Sequence, residues 1–158
     1  MQQANHEANY ENNFDEHTRV GLIKRISSLN EYGTRQWGKM SVYQMLKHCT
    51  IWDEWIQGKS NLKYKQSFLG LIFGKMALKG TVNNDRPMKR NMPAGHLKVK
   101  ETHGDVDAQK KKWIERVAHY QNFSNPDFTH DFFGRMTKEE IGIFAYKHAD
   151  HHLRQFSS

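Results

Sequence analysis

Two histidines near the C-terminus, His148 and His152, have the spacing of a metal-binding pair. Residues four apart lie one above the other on the same face of an α-helix, so two imidazoles can reach one ion at about 2 Å. Both fall on an apolar stripe of the last predicted helix that also carries Phe144 and Phe156. We therefore expect both rings to face the interior, with His151, nearer the edge of the stripe, as the alternative second ligand.

A third histidine, His48, lies on the apolar face of the second predicted helix, between Met45 and Trp52. A buried imidazole needs partners for both ring nitrogens, so inward-facing histidines destabilise the fold unless a common partner binds them. A divalent ion does so with neutral imidazoles as ligands. The alternative that the spacing leaves open is a set of unrelated core histidines bonded to backbone or water.

A metal with three protein ligands keeps a position open for water or substrate, as catalytic zinc does. There it lowers the pKa of a bound water for hydrolysis or binds a thiol as thiolate. The sequence has no CxxC motif and no phosphate-binding glycine loop, and the spacing of Asp53 and Glu54 aims neither carboxylate at the site. We therefore assign no catalytic residue besides the ligands, and we expect Cys49 to be a small buried core residue.

The elements that must position these histidines are helices. Ser41 with Gln44, and Thr137 with Glu140, have the spacing of capping boxes that begin the second and the last helix. No segment predicts a strand. Apolar periodicity predicts an all-α chain with helices over residues 15–29, 41–56, 67–78, 107–122 and 137–156.

Short links join the first two helices and the last two, whereas residues 59–106 form a long connection. This pattern is typical of a four-helix bundle with a crossover between its second and third helices, here carrying the extra short helix 67–78. The length of 158 residues suits one domain. We predict a disordered tail over residues 1–13 and one bundle domain over 14–158.

The single cysteine excludes an intrachain disulfide and favours a reducing, cytoplasmic compartment. Residues 1–13 have no apolar run, so they do not resemble a signal peptide. The apolar stretch 67–78 is too short to span a bilayer, and we expect no membrane partner. A homodimer is left open.

The positive charge of the chain is concentrated in its middle. Residues 55–100 carry ten Lys or Arg residues and one acid, Asp85, a net +9 against +7 for the whole chain. This segment is either a solvated surface or a binding surface for an anionic small molecule. Nucleic acid is not favoured, because no recognition motif accompanies the charge.

The motifs around the histidines resemble a known superfamily. Trp37-Gly-Lys-Met-Ser41 and His48-Cys49 resemble the entry to the second helix of DinB/YfiT-like metal-binding bundles. Tyr146-Lys-His148-Ala-Asp-His151-His152 resembles their closing helix. The resemblance covers about residues 14–156 and is closest to an uncharacterised, domain-of-unknown-function branch.

The resemblance implies a four-helix bundle whose metal ligands are one histidine on the second helix and a His-x-x-x-His pair on the last. These correspond to His48, His148 and His152. Metals in such relatives include zinc and nickel. Some relatives transfer low-molecular-weight thiols to electrophiles, and others are classed as metal-dependent hydrolases. We therefore expect a metal-dependent enzyme acting on a small molecule, with a non-catalytic helical module as the alternative.

Two further predictions concern aromatic and histidine residues before the capped helices. Trp37 either lines the mouth of the metal pocket or acts as a hydrophobic staple at the helix entry. The same alternatives apply to Phe132 and Phe133, for which the staple is favoured. His130 is predicted to anchor its loop by a hydrogen bond.

Overall fold

The computed structural model describes residues 10–92 and 97–158. Within these ranges the chain is predominantly helical, which confirms the predicted all-α class in outline. A 3₁₀ turn at Tyr120–Asn122 follows α4 directly. The helices are α1 (Glu16–Ser28), α2 (Val42–Ile56), α3 (Phe68–Val82), α4 (Val106–His119) and α5 (Lys138–Gln155).

The prediction that the chain has no strand is wrong for one short hairpin. Strands β1 (Thr129–His130) and β2 (Gly134–Arg135) pair antiparallel just before α5. With two residues each, they are too short to produce an alternating pattern of polar and apolar residues. Helix α3 is also longer than the predicted 67–78, because Val82 is buried one turn beyond Leu78.

Capping boxes begin the two helices that carry the site histidines, as predicted. In α2 the amide of Gln44 donates to Ser41 Oγ at 3.1 Å, and the Gln44 side chain accepts from the Ser41 amide at 3.0 Å. Thr137 and Glu140 make the same pair of bonds at α5, at 3.1 and 2.7 Å. Each cap stabilises its helix by about 1 kcal/mol and fixes the residue at which the helix starts.

The packing of α2 and α5 places the histidines between two apolar clusters. Helix α2 lies along α4 and also contacts α5, while α1 contacts α4 and α5. One cluster contains Met45 and Leu153, and the other contains Trp52 and Phe144. Because His48 lies between Met45 and Trp52 on α2, its ring lies where the two clusters meet.

A buried carboxylate joins α2 to the end of α4. Asp53 is 5% exposed and accepts hydrogen bonds from Trp113 Nε1 at 2.9 Å and from the Tyr120 hydroxyl at 2.7 Å. Burial raises the pKa of Asp53 to about 7, although both hydrogen bonds act in the opposite direction. The carboxylate therefore points toward α4 and serves the packing of the helices.

Helix α3 packs through glycine rather than through its large side chains. Its buried residues are Gly70, Gly74, Leu78 and Val82, which repeat every four residues along one stripe. A Cβ on either glycine would overlap the carbonyl oxygen of Phe132 in the hairpin. The close approach of the two backbones is therefore available only to glycine.

The N-terminal boundary lies close to α5. Residues 1–9 of the predicted tail lie outside the described residues. Asn13 is 1% exposed, and its amide donates to the carbonyl of Gly142 at 3.1 Å. The boundary between tail and domain at residue 13 stays a prediction.

Among residues 10–92 and 97–158, no helix has the length and apolar character that crossing a membrane requires.

Adding one methyl group to α3 should have opposite effects at two positions. Gly74→Ala places a Cβ against the Phe132 carbonyl, and we expect it to destabilise the fold by roughly 1–3 kcal/mol. Gly80→Ala meets no atom within 4 Å and should instead stabilise by about 0.5–1 kcal/mol. Urea unfolding curves of both variants test this, and equal effects at the two sites would contradict the glycine-mediated packing.

The stability difference between Asp53→Asn and wild type should depend on pH. The folded-state pKa of Asp53 is about 7, above its unfolded value near 3.8, so its contribution is full below about pH 4 and is lost as pH rises toward 7. Asparagine does not titrate, so we expect Asp53→Asn to gain up to about 4 kcal/mol relative to wild type between pH 4 and 8.

Free energies of unfolding measured across that pH range provide the test. The exposed Asp127→Asn is the matched control, and its difference from wild type should stay nearly flat. A flat difference for Asp53→Asn as well would mean that the buried carboxyl ionises as it does in the unfolded chain.

Candidate metal centre

The rings of three histidines from two helices meet at one point. The ring centre of His48 on α2 lies 5.2 Å from that of His148 and 4.9 Å from that of His152, and the two α5 rings are 4.7 Å apart. One potential ligand nitrogen from each ring lies within 4.8 Å of the other two. The predicted convergence of His48, His148 and His152 is confirmed, and together they form a group that can hold a metal ion.

A backbone carbonyl fixes the tautomer of His48. Its Nδ1 lies 3.0 Å from the carbonyl oxygen of Leu97. A carbonyl oxygen only accepts, so Nδ1 carries the proton and Nε2 presents a lone pair. An outer hydrogen bond of this kind orients a metal-binding imidazole and raises its basicity.

A side-chain amide fixes the tautomer of His152 in the same way. The Nε2 group of Gln155 donates to the carbonyl of Trp37 at 2.9 Å, which sets the orientation of the amide. Its Oε1 therefore faces His152 Nδ1, 3.1 Å away, and accepts a proton from it. The lone pair of His152 is left on Nε2, as in His48.

The spacing of the ring nitrogens suits a small ion. His48 Nε2 lies 3.2 Å from His148 Nε2. Two imidazole nitrogens bound to one tetrahedral zinc at about 2.0–2.1 Å are separated by roughly 3.3 Å. Three neutral nitrogen donors are a ligand set that zinc and nickel both accept. The residues present therefore fit a divalent ion of this class.

Burial favours the neutral form of all three histidines. Desolvation lowers the pKa of His48, lowers that of His148 well below its usual range, and lowers that of His152 to about 3. For His148 and His152, the neighbouring imidazoles lower the pKa further. Between about pH 6.5 and 3 the unfolded chain binds more protons at His152 than the folded chain, so without metal the fold loses stability as pH falls through this window.

Aromatic residues form one wall of the site. The ring centre of Trp52 lies 4.9 Å from that of His148, and Phe144 lies 6.3 Å from the same ring. His48 and His152 are buried, at 2% and 7% exposure, whereas His148 is half-buried.

Trp37 and Arg90 lie near the site, beside His151. The ring of Trp37 is 5.4 Å from that of His151, and the guanidinium of Arg90 lies over the Trp37 ring at 4.4 Å from its centre. These contacts favour the pocket-mouth interpretation of Trp37, since the residue before the cap of α2 is Met40. An arginine at this position can bind an anionic group.

The other candidates from the sequence have separate places. His151 is half-buried and is not part of the converging group, so the structure favours His152 over it. Cys49 is 1% exposed, and its Sγ lies 3.8 Å from Met45 Sδ, which confirms a core role.

The hairpin before α5 carries the remaining candidates. His130 Nδ1 accepts from the amides of Phe132 and Phe133 at 3.1 and 3.2 Å, so its loop-anchoring role is confirmed. Phe133 stacks on His130 with ring centres 4.4 Å apart and does not act as a staple, because Met136 is the residue before the cap of α5.

Sequence reasoning missed the two groups that orient the ligands. Gln155 follows His152 by three residues, so helical spacing could have identified it. The Leu97 carbonyl is a backbone group 49 residues from His48, and no side-chain pattern marks it.

Removing the outer partner of His152 should weaken metal binding without abolishing it. We expect Gln155→Ala to lower zinc or nickel affinity by roughly 10- to 100-fold, because the imidazole loses the acceptor that fixes its tautomer. His148→Ala should cost more, because it removes a ligand. Competition titration against a chelator, on protein carrying no histidine tag, measures both effects.

The control is Gln121→Ala, an exposed glutamine that should leave affinity unchanged. Circular dichroism establishes that each variant is folded. Wild-type affinity in Gln155→Ala would contradict the orienting role of the amide.

Comparison with known proteins assigns the chain to a family without assigning an activity. Neither the curated proteins nor the solved structures include a match. Residues 10–158 match the family described as "Protein of unknown function (DUF1569)", a span that includes all three site histidines. The chain therefore belongs to the DUF1569 family.

Proposed function

We propose that this protein binds one divalent metal ion, zinc or nickel, through His48, His148 and His152, and that it is a metal-dependent enzyme acting on a small molecule. The observation that carries the proposal is the pair of outer hydrogen bonds. Leu97 and Gln155 each hold an Nδ1–H, so two Nε2 lone pairs point to the place where the third ring lies. Unrelated core histidines would have no reason to share this arrangement.

The scaffold that we propose is a four-helix bundle of the DinB/YfiT-like kind, formed by α1, α2, α4 and α5. Helix α3 would then belong to the crossover between the second and third bundle helices. The contacts of α4 with α1 and α2, and of α5 with the same two helices, support this assignment. The bundle would form one domain over residues 14–158, with cytoplasmic location favoured by the single buried cysteine, Cys49.

An ion held by three imidazoles supplies a Lewis acid with a coordination position left for water, a thiol or a substrate oxygen. The protein's own residues then have distinct tasks. Hydrogen bonds to Leu97 and Gln155 orient His48 and His152. The ring wall of Trp52 and Phe144 keeps bulk water from one side of His148. Arg90, stacked on Trp37, is placed to bind the anionic part of a substrate or thiol.

The two reaction types that we propose, thiol transfer and hydrolysis, are those that the resemblance to DinB/YfiT-like proteins implies. In both, the histidines act as ligands and the nucleophile comes from outside the chain. The positive charge of Arg90 favours an acidic low-molecular-weight thiol as the co-substrate.

The second candidate is a non-catalytic module whose metal serves stability. The hydrogen bonds of Asp53 favour this second candidate. Asp53 follows His48 on α2, but Trp113 and Tyr120 each donate a hydrogen bond to one of its two carboxylate oxygens. Asp53 is therefore engaged in packing and does not reach the site as a general base. In that case chelation should lower the melting temperature while no chemistry is lost.

Metal-loaded protein should turn over one of two substrate sets: a low-molecular-weight thiol with an alkylating electrophile, or activated esters and amides. We expect His148→Ala to reduce the rate by more than the roughly 10- to 100-fold that loss of an outer partner causes. Arg90→Gln should raise KM for a carboxylate-bearing thiol and leave KM for a neutral thiol unchanged, because only the first uses the guanidinium. Steady-state kinetics with both thiols provide the measurement.

His103→Ala is the matched control for the ligand variant, since His103 is exposed and lies outside the metal-binding group. Turnover that survives in His148→Ala would exclude the site as its source. Stoichiometric metal with no turnover of either substrate set would favour the structural alternative.

A further inference from the structure

Helix α3 exposes an unusual amount of apolar side chain. Scattered exposed hydrophobic residues are ordinary on a protein surface, but consecutive turns of large ones mark an interaction site. The apolar face of α3 comprises six residues: Phe68 (74% exposed), Leu69 (60%), Leu71 (67%), Ile72 (57%), Phe73 (47%) and Met76 (70%).

The outward direction of this face follows from the way in which α3 is attached. Gly70 and Gly74 lie against the Phe132 backbone, so the stripe that faces the protein is the one with the smallest residues. At about 100° per residue, Ile72 and Met76 fall on the side opposite Gly74. The large residues therefore contribute little to the packing of α3 on the protein and remain available to a partner.

Lysines lie on the apolar face and beside it, and the segment that contains the face has no negative charge. Residues 57–84 contain five lysines and no Asp or Glu. All five lysine side chains are exposed: Lys59, Lys63, Lys65, Lys75 and Lys79. A partner that complements this surface must combine an apolar interior with an anionic surface.

Two copies of the chain would meet this requirement poorly. The exposed area of these six residues, roughly 700 Å², approaches the size of one side of a standard protein interface. Pairing α3 with α3 of a second copy would, however, bring two lysine-rich segments together without acidic partners, which is repulsive. An anionic bilayer offers hydrocarbon to the apolar face and phosphate groups to the lysines.

We propose that α3 docks this protein on the surface of an anionic membrane. The helix lies parallel to the bilayer, with its apolar face inserted below the headgroups and its lysines among them. The short length of residues 67–78 excludes a spanning role but not an interfacial one, so this proposal replaces the expectation from the sequence that the protein has no membrane partner. This proposal is independent of the metal site, and it is compatible with a cytoplasmic protein, because the cytoplasmic leaflet is the anionic one.

Vesicle co-sedimentation tests the proposal. Wild-type protein should sediment with phosphatidylcholine vesicles that contain about 30% phosphatidylglycerol, and binding should fall as salt rises because the lysine contribution is screened. The triple variant Leu71→Ser, Ile72→Ser, Met76→Ser should bind at least about tenfold more weakly, since it removes apolar surface that would enter the bilayer. All three side chains are exposed, so the fold should be unaffected.

The matched control replaces exposed apolar residues elsewhere. Val20→Ser with Tyr32→Ser changes side chains that are 59% and 86% exposed, and this variant should bind like wild type. A second variant, Lys65→Gln with Lys79→Gln, should bind more weakly and show a smaller dependence on salt.

Three results would overturn the proposal. The first is failure of the wild-type protein to bind anionic vesicles, and the second is equal binding by wild type and the triple serine variant. The third is light scattering that shows a wild-type dimer, a monomeric triple variant and no vesicle binding by either. That outcome would assign the apolar face to a second copy of the chain.

Discussion

A buried imidazole must find a partner for each of its two nitrogens, and this requirement organises the centre of the molecule. For His48 and His152 the first partner is supplied by the protein, through the Leu97 carbonyl and the Gln155 amide. The second nitrogen of each ring is thereby directed inward, where His148 lies. The capping boxes, the contact of α2 with α5 and the position of Leu97 in the connection between α3 and α4 all contribute to this one arrangement.

The same burial has opposite consequences for acids and bases in one core. Taking histidine out of water favours the neutral ring, so stability falls as pH drops; taking Asp53 out of water favours the neutral acid, so stability falls as pH rises. The hydrogen bonds from Trp113 and Tyr120 reduce the second penalty without removing it. The metal-free chain therefore loses stability both as pH falls and as pH rises. An ion bound to the imidazoles would reduce the loss at low pH, because it competes with protons for the ring nitrogens.

Much of this could be predicted from side-chain types and spacing, because helices repeat regularly. The caps at Ser41 and Thr137, the inward histidines and the core position of Cys49 all follow from helical periodicity. Features that rest on backbone geometry could not be predicted this way. The Leu97 carbonyl has no side-chain signature, and the Thr129–Arg135 hairpin is too short to have one. The outward apolar face of α3 was hidden because glycines, rather than large residues, form its packed stripe.

The Gln155 amide connects the last helix to the loop before α2. The side-chain Nε2 of Gln155 donates to the Trp37 carbonyl, and its Oε1 accepts from His152 Nδ1. The backbone carbonyl of Gln155 accepts from the Gln36 amide at 2.8 Å. Without the hydrogen bond to Trp37, the Gln155 amide would be free to rotate, and the tautomer of His152 would no longer be fixed. If an ion is bound as proposed, how long it stays would then depend on the hydrogen bond between Gln155 and the Trp37 carbonyl.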